Sequence, residues 1–307
     1  MAAQVGERMS ARRLLAAVAL LAVGIAGCGA DSGAAGKGRS SRLVDFHKKP
    51  PYVNALEIDP SDDSFLLTTN RGFYRIPKDG SKVTRIRGKI TAKEGSSPVG
   101  TFLEVDAIGP GQYVGSGHPD KARPLPPYLG YIRSDDAGKT WRVVSRLGEA
   151  DLHQIRRLHD RMYAFDAVVG AILVSFDDGR TWTEHFTPRQ LVLDFVVDPE
   201  DPDHLIASTA EQMYRSEDSG DKWRPSEQAQ AARLDWPAPD ALMRADKDGL
   251  FQVSKDGGQT WERRGRIEGE PWKVVATDAE HAFVALSDGS ILETKDGGRS
   301  FEDRFRP

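Results

Sequence analysis

Apolar runs in this chain are short. VNALEID, FLLTT and GFYRI near the start, and LVLDFVV, HLIAST and QMYRS further on, are separated by turn-forming stretches such as DPEDPD. Short runs bounded by turn residues read as strands, not helices. One turn sequence then returns along the chain: SDDAGKTW (Ser134–Trp141), SFDDGRTW (Ser175–Trp182), SEDSGDKW (Ser216–Trp223), SKDGGQTW (Ser254–Trp261) and TKDGGRSF (Thr294–Phe301). Its central aspartates, Asp136, Asp177, Asp218, Asp256 and Asp296, are 41, 41, 38 and 40 residues apart. Four strands per period of about 40 is the signature of a propeller blade. A degraded copy, PKDGSK around Asp79, supplies one more unit. The pattern therefore predicts an all-β fold, a six-bladed β-propeller of four-stranded antiparallel blades beginning near residues 51, 98, 151, 190, 229 and 270.

The recurring turn suits the hairpin between the third and fourth strands of a blade. Glycine tolerates positive φ there, the Asp and Ser or Thr side chains can bond turn backbone groups, and the aromatic can pack between blades. A catalytic centre does not need five copies, so these residues read as turn fasteners. The boxes resemble Asp-box (BNR) repeats, which occur in sialidases, sortilin-type propellers and photosystem assembly factors. The resemblance covers nearly everything after residue 50. It implies architecture and leaves the chemistry open.

The first residues follow another logic. Arg8, Arg12 and Arg13 precede the apolar run Leu14–Ala26, which ends at Gly27 and Cys28. That run is shorter than the ~20 residues a membrane span needs, so residues 1–28 are expected to be a signal peptide; translation can start at Met1 or Met9. IAGC at Ile25–Cys28 resembles a bacterial lipobox, which implies lipidation of Cys28. Cys28 is the only cysteine, so it has no disulfide partner within the chain. Residues 29–42, rich in Gly, Ser and Ala, read as a flexible linker, leaving 43–307 as the propeller. Anchoring on the outer, extracytoplasmic face of a bacterial cytoplasmic membrane follows from the resemblance. Removing residues 1–28 takes away three Arg and one Glu, which shifts the net charge from −4 to −6. An acidic domain is unsuited to nucleic-acid backbones.

Candidate chemistry lies away from the boxes. YRIP at Tyr74–Pro77 matches the motif that presents an arginine in sialidases, but it runs straight into the degraded box, which places Arg75 on a third strand. The tyrosines end at Tyr214, so the last two blades lack a sialidase-like nucleophile. In a propeller the ligand face is the mouth opposite the box hairpins. The one long insertion, Gly117–Gly130, belongs to that face and carries His118, Asp120, Lys121 and Arg123. The link into the third blade adds Glu149, Asp151 and His153.

Three readings of this cluster are open: a metal site, although no ligand pair has a diagnostic spacing; paired acids for glycoside hydrolysis, with Asp120, Glu149 and Asp151 as candidates; or a hydrogen-bonded rim that fixes the Pro-rich loop. Asn54, Glu104, Asp194, Arg233 and Asp235 are expected in the channel, and Trp272 can stack on a ligand. Neither a resident metal nor a cofactor is expected, and no phosphate-binding Gly loop, nucleophile elbow or metalloprotease motif appears. The lipobox, VDPEDPDHL, SGHPD and GEADLH together resemble bacterial Asp-box lipoproteins often labelled glycosyl hydrolases. The expected function is a membrane-anchored binding or assembly module for a glycan, peptide or protein. A glycoside hydrolase is the alternative.

Overall fold

The computed structural model describes residues 52–120, 124–187, 191–226 and 231–307. The leader with Cys28, the linker, and Lys121 and Arg123 of the inserted loop lie outside the described residues.

Five four-stranded antiparallel sheets are found. Each is a meander whose first strand is Val53–Asp59, Leu152–Leu158, Val192–Val197, Ala232–Asp235 or Pro271–Ala276. We number the units one to six along the chain, so these sheets are units one, three, four, five and six. The expectation of six such blades is corrected at the second unit, where five strands close on themselves.

The cause is the length of strand Gly95–Gly109. Its N-terminal part pairs with the added strand Lys89–Ala92, and its C-terminal part pairs with Gln112–Pro119. Register shifts at Val99/Thr101, Phe102/Glu104 and Ala107/Gly109 let it coil. Lys89–Ala92 then runs parallel to Thr140–Ser145, with Lys89 opposite Thr140, and completes the circle. Ile90, Phe102, Trp141 and Leu129 form one buried cluster with Leu66 and Phe73 of the first unit.

First strands of consecutive units touch in chain order, and Pro271–Ala276 returns to Val53–Asp59, so the units form a ring. Where the last and first sheets meet, Phe65 and Phe283 pack edge to face at 4.9 Å, and Ile291 and Phe305 join Val53 and Leu56 in one buried cluster. Second strands such as Ser64–Thr69 and Leu205–Thr209 are buried along their whole length, as strands covered on both faces must be.

The five boxes share one geometry. In each, the Ser or Thr hydroxyl donates to the Asp carboxylate at 2.8–2.9 Å. The same oxygen accepts the amide of the glycine four residues on, at 2.8–2.9 Å. The Asp accepts a further amide four residues on. These bonds hold Asp136, Asp218 and Asp256 below the usual carboxylate range and Asp177 and Asp296 at about 2.

The box glycine also seats a side chain from the neighbouring unit. Gly138 packs against Phe73, Gly179 against Tyr131 and Gly298 against Phe251. Trp182 adds a contact across this seam, to Tyr131 at 5.4 Å, while Trp141 packs on Phe102 of its own unit at 5.0 Å.

Gly179 has φ +77° and a Cβ there would lie 2.2 Å from the Tyr131 ring, whereas Gly170 has φ +67° with nothing within 4 Å. Gly179→Ala is therefore expected to cost about 3 kcal/mol or more and Gly170→Ala about 1 kcal/mol. Urea denaturation of the two variants checks the difference; equal losses would contradict the packing role.

Candidate functional site

Links between units and turns between second and third strands gather at one end of the ring. The boxes and the turns between first and second strands gather at the other. The first end, the mouth, holds His118, Asp120, Glu149, Asp151, His153 and Trp272 of the residues expected from sequence.

His118 lies at the end of a strand in the closed second unit, and its Nδ1 is 2.8 Å from the Pro127 carbonyl. Its ring lies 5.8 Å from Tyr128, and its Nε2 is 3.7 Å from Asp151 Oδ1. His153, on the first strand of the third unit, places Nε2 3.2 Å from the other oxygen of Asp151. Asp151 is fixed through its backbone, its amide donating to Asp166 and its carbonyl accepting from Ala167. Asp151 Oδ1 is buried, with no hydrogen-bond donor among the described residues. Two units thus bring His118, Asp151 and His153 together.

Asp120 is tied by its amide to the Pro98 carbonyl, and Glu149 by its amide to the Arg146 carbonyl. No side-chain hydrogen bond joins either one to the trio among the described residues. Nor do the described residues contain a group of three or more His, Cys, Asp or Glu set to hold a metal ion.

A second feature of the mouth was not legible in the sequence. Units four to six surround a cavity of about 680 Å³ with Leu193, Ala231, Ala232 and Pro271 among its apolar walls, within the usual range for ligand sites. Trp272 lines it beneath Arg233, whose guanidinium stands 4.7 Å from the indole centroid and donates to the Leu193 carbonyl at 2.7 Å. Asp246, Lys247, Asp248 and Glu270 give it a charged rim, in which Lys247 donates to Asp248 at 2.8 Å.

Around the mouth stand exposed apolar side chains: Tyr52 (62% exposed), Leu191 (61%), Val168 and Val169. Tyr52 is 6.4 Å from Trp272. Of the exposed large hydrophobics among the described residues, only Phe176, in a box, belongs to the other end. Apolar residues sitting in links and turns, such as AVVG at 167–170, were the available signal.

Inside the ring the first strands carry a polar network. Asn54 donates to the Phe102 carbonyl, Gln154 bonds the Leu193 carbonyl and Phe195 amide, Asp194 accepts from the Leu234 amide, and Asp235 from the Ala276 amide. Arg156 crosses the channel to the Phe195 carbonyl at 2.7 Å, Asp235 at 3.2 Å and Asp194 at 3.4 Å. Lys273 reaches Glu104 at 3.2 Å.

Burial pushes Glu104 up to about 7 against the opposing pull of Lys273, and pushes Asp106 up to about 6. Glu57 and Asp235 are raised for the same first reason. Sequence reasoning assigned Glu104, Asp194, Asp235 and Asn54 to the channel and missed Glu57, Asp106, Gln154, Arg156 and Lys273. Aligning the units on their box aspartates would have placed all five on first strands.

Residues 130–252 match the family model described as sortilin, neurotensin receptor 3, and residues 252–263 match the BNR/Asp-box repeat. Among curated proteins, the photosystem II assembly lipoprotein Ycf48 of a Synechococcus strain is 29% identical over 113 residues, covering 33% of this chain and 34% of that protein. Its counterpart in Trichormus variabilis is 22% identical over 172 residues, 52% of this chain and 50% of that protein. The chain thus spans between a third and a half of the length of these relatives. Of solved structures, YCF48 bound to D1 peptide superposes with a TM-score of 0.54 at 13% identity, covering 80% of this chain and 94% of that one. An ancestral GH74 enzyme superposes at 0.50 with 15% identity, covering 80% of this chain and 36% of that one. At these identities the superpositions speak for the fold.

The raised Glu104 gives a pH prediction. Below pH 4.5 the carboxyl is protonated in folded and unfolded chains alike. Between 4.5 and about 7 the unfolded chain releases the proton and the folded one retains it, so this group's contribution to stability falls as pH rises. Carbon-13 NMR is expected to show the carboxyl titrating near pH 7 and moving higher in Lys273→Met; a titration near 4.5 in both proteins would refute the buried pairing.

Proposed function

From the premise that this chain is an Asp-box β-propeller, related in its repeat to sialidases, sortilin and Ycf48, we propose a binding or assembly module that takes a peptide or protein segment at its mouth. We read the closed second unit as a blade elaborated by one strand, which makes the ring six-membered. The observation that carries the function is the concentration of exposed apolar side chains, Tyr52, Leu191, Val168 and Val169, at the same end of the ring as a cavity walled by Leu193, Pro271 and Trp272. Large apolar side chains left exposed together at one end of a fold mark an interaction surface.

The D1 peptide bound to YCF48 in its solved structure, and the photosystem II assembly role that gives the Ycf48 lipoproteins their name, support the same reading by analogy. In this proposal His118, Asp151 and His153 form a polar flank of the mouth, to which Asp120, Glu149, Lys121 and Arg123 add charge. Trp272 with Arg233 forms the floor of the cavity. Lipidation at Cys28, after cleavage of the leader just before it, would hold the module on the outer face of the cytoplasmic membrane.

Two experiments test this. A photo-crosslinking amino acid at Tyr52 or Leu191 is expected to capture a discrete partner in intact cells, while the same group at Phe176 captures none. Equal capture from Phe176, or none from the mouth, would contradict the reading. Separately, Cys28→Ala is expected to move the protein from the membrane to the soluble fraction, and unchanged retention would remove the anchor from the proposal.

A further inference from the structure

At the mouth, the two ring nitrogens of His118 have unlike neighbours. A carbonyl oxygen can only accept, so the 2.8 Å contact of Nδ1 with the Pro127 carbonyl places a proton on Nδ1. In the neutral ring Nε2 is then a bare lone pair. It faces Asp151 Oδ1 across 3.7 Å, and that oxygen, itself an acceptor, is buried with no hydrogen-bond donor among the described residues. Two acceptors aimed at one gap leave each other unsatisfied, which is costly for a buried group.

The surroundings hold this arrangement in place. His118 sits at the end of the strand Gln112–Pro119, with the Pro127 carbonyl on its far nitrogen and the Tyr128 ring 5.8 Å away. Asp151 is pinned through its backbone, its amide donating to Asp166 at 3.1 Å and its carbonyl accepting from Ala167 at 3.0 Å. Its second oxygen is already engaged, because His153 Nε2 stands 3.2 Å from Oδ2 and a carboxylate there accepts. The carboxylate is thus held from behind with Oδ1 left toward His118.

A positive charge belongs in the gap, and the distance bears on which one. A proton on Nε2 would draw the pair to the ~2.7–2.9 Å of a charge-assisted hydrogen bond. Two ligands each about 2.1 Å from one tetrahedral zinc ion stand about 3.4 Å apart, which is nearer the observed 3.7 Å. We propose that His118 Nε2 and Asp151 Oδ1 bind a divalent transition-metal ion of the zinc class. Imidazole and carboxylate both suit that ion. The Pro127 carbonyl behind His118 and the His153 ring behind Asp151 are the outer partners that orient metal ligands. His118 and His153 address different oxygens of Asp151, so the three residues do not close on one point. The ion has two protein ligands, and water fills its other positions. The site stands on this geometry alone and is independent of the peptide reading of the mouth.

The test titrates Zn²⁺ by calorimetry into the full chain carrying Cys28→Ala, which removes its one thiol. His118→Ala, Asp151→Asn and His153→Ala are made on that background, and Mg²⁺, which favours oxygen ligands, is the control. Nitrogen-15 NMR of the histidine rings follows His118 with all three residues intact, so a variant that fails to fold does not decide the outcome.

The expected result is a Zn²⁺ site whose affinity falls at least about tenfold in His118→Ala and in Asp151→Asn, and by a smaller factor in His153→Ala. The His118 Nε2 resonance moves on adding Zn²⁺ and not on adding Mg²⁺, while Nδ1 stays protonated. Unchanged affinity in both ligand variants would assign the ion to another histidine and carboxylate pair, such as His185 with Asp221, and would overturn the proposal. An unmoved Nε2 resonance, or no Zn²⁺ binding, would overturn it as well, and each of these results leaves the crosslinking test of the mouth to stand or fall separately.

Discussion

No backbone ladder joins the first strand of one unit to the first strand of the next among the described residues. Each first strand therefore turns a row of amide and carbonyl groups toward the channel with no strand beside it. Such groups must be satisfied or remain wet. The chain answers with side chains: Asn54, Gln154, Asp194 and Asp235 each bond the backbone of the following unit's first strand. Arg156 ties three units at once. Because these donors and acceptors are charged or strongly polar, the channel holds carboxylates at raised proton affinity beside cations. Of these perturbed acids, Asp235 and Glu104 bond residues of other units; perturbed acids elsewhere often mark catalysis.

The same ring has two differently built ends. At the box end the side chains of each Ser or Thr and Asp are consumed by their own turn, and the glycine packs on a neighbouring unit's side chain, an aromatic ring at Gly138, Gly179 and Gly298. At the mouth the turns are also fastened by side chains, Asp166, Thr209 and Asp246 among them, and apolar residues such as Leu191 and Val168 are left facing water. An interaction surface can evolve at the mouth at little cost to the ring.

Much of this was legible from the sequence because the box aspartates recur at nearly constant spacing. That periodicity placed Asp136 through Asp296, the strands between them and Arg75 on a third strand. It could not show the closed second sheet, since Lys89–Ala92 pairs in parallel with Thr140–Ser145 and parallel pairing has no local signal. The candidate site was half legible. His118, Asp151 and His153 meet because an insertion and a link share one end of the ring, a topological inference. The cavity beside Trp272 depends on three units converging, and its small residues Ala231 and Ala232 carry no motif.

The most direct test of the central claim, that recognition happens at the mouth, is amide hydrogen exchange on the full chain with and without a peptide selected by it from a random displayed library. The account predicts new protection in the turns around 210–212 and 246–250 and in the link at 270–272, with the box hairpins unchanged. Protection confined to the box hairpins would contradict it.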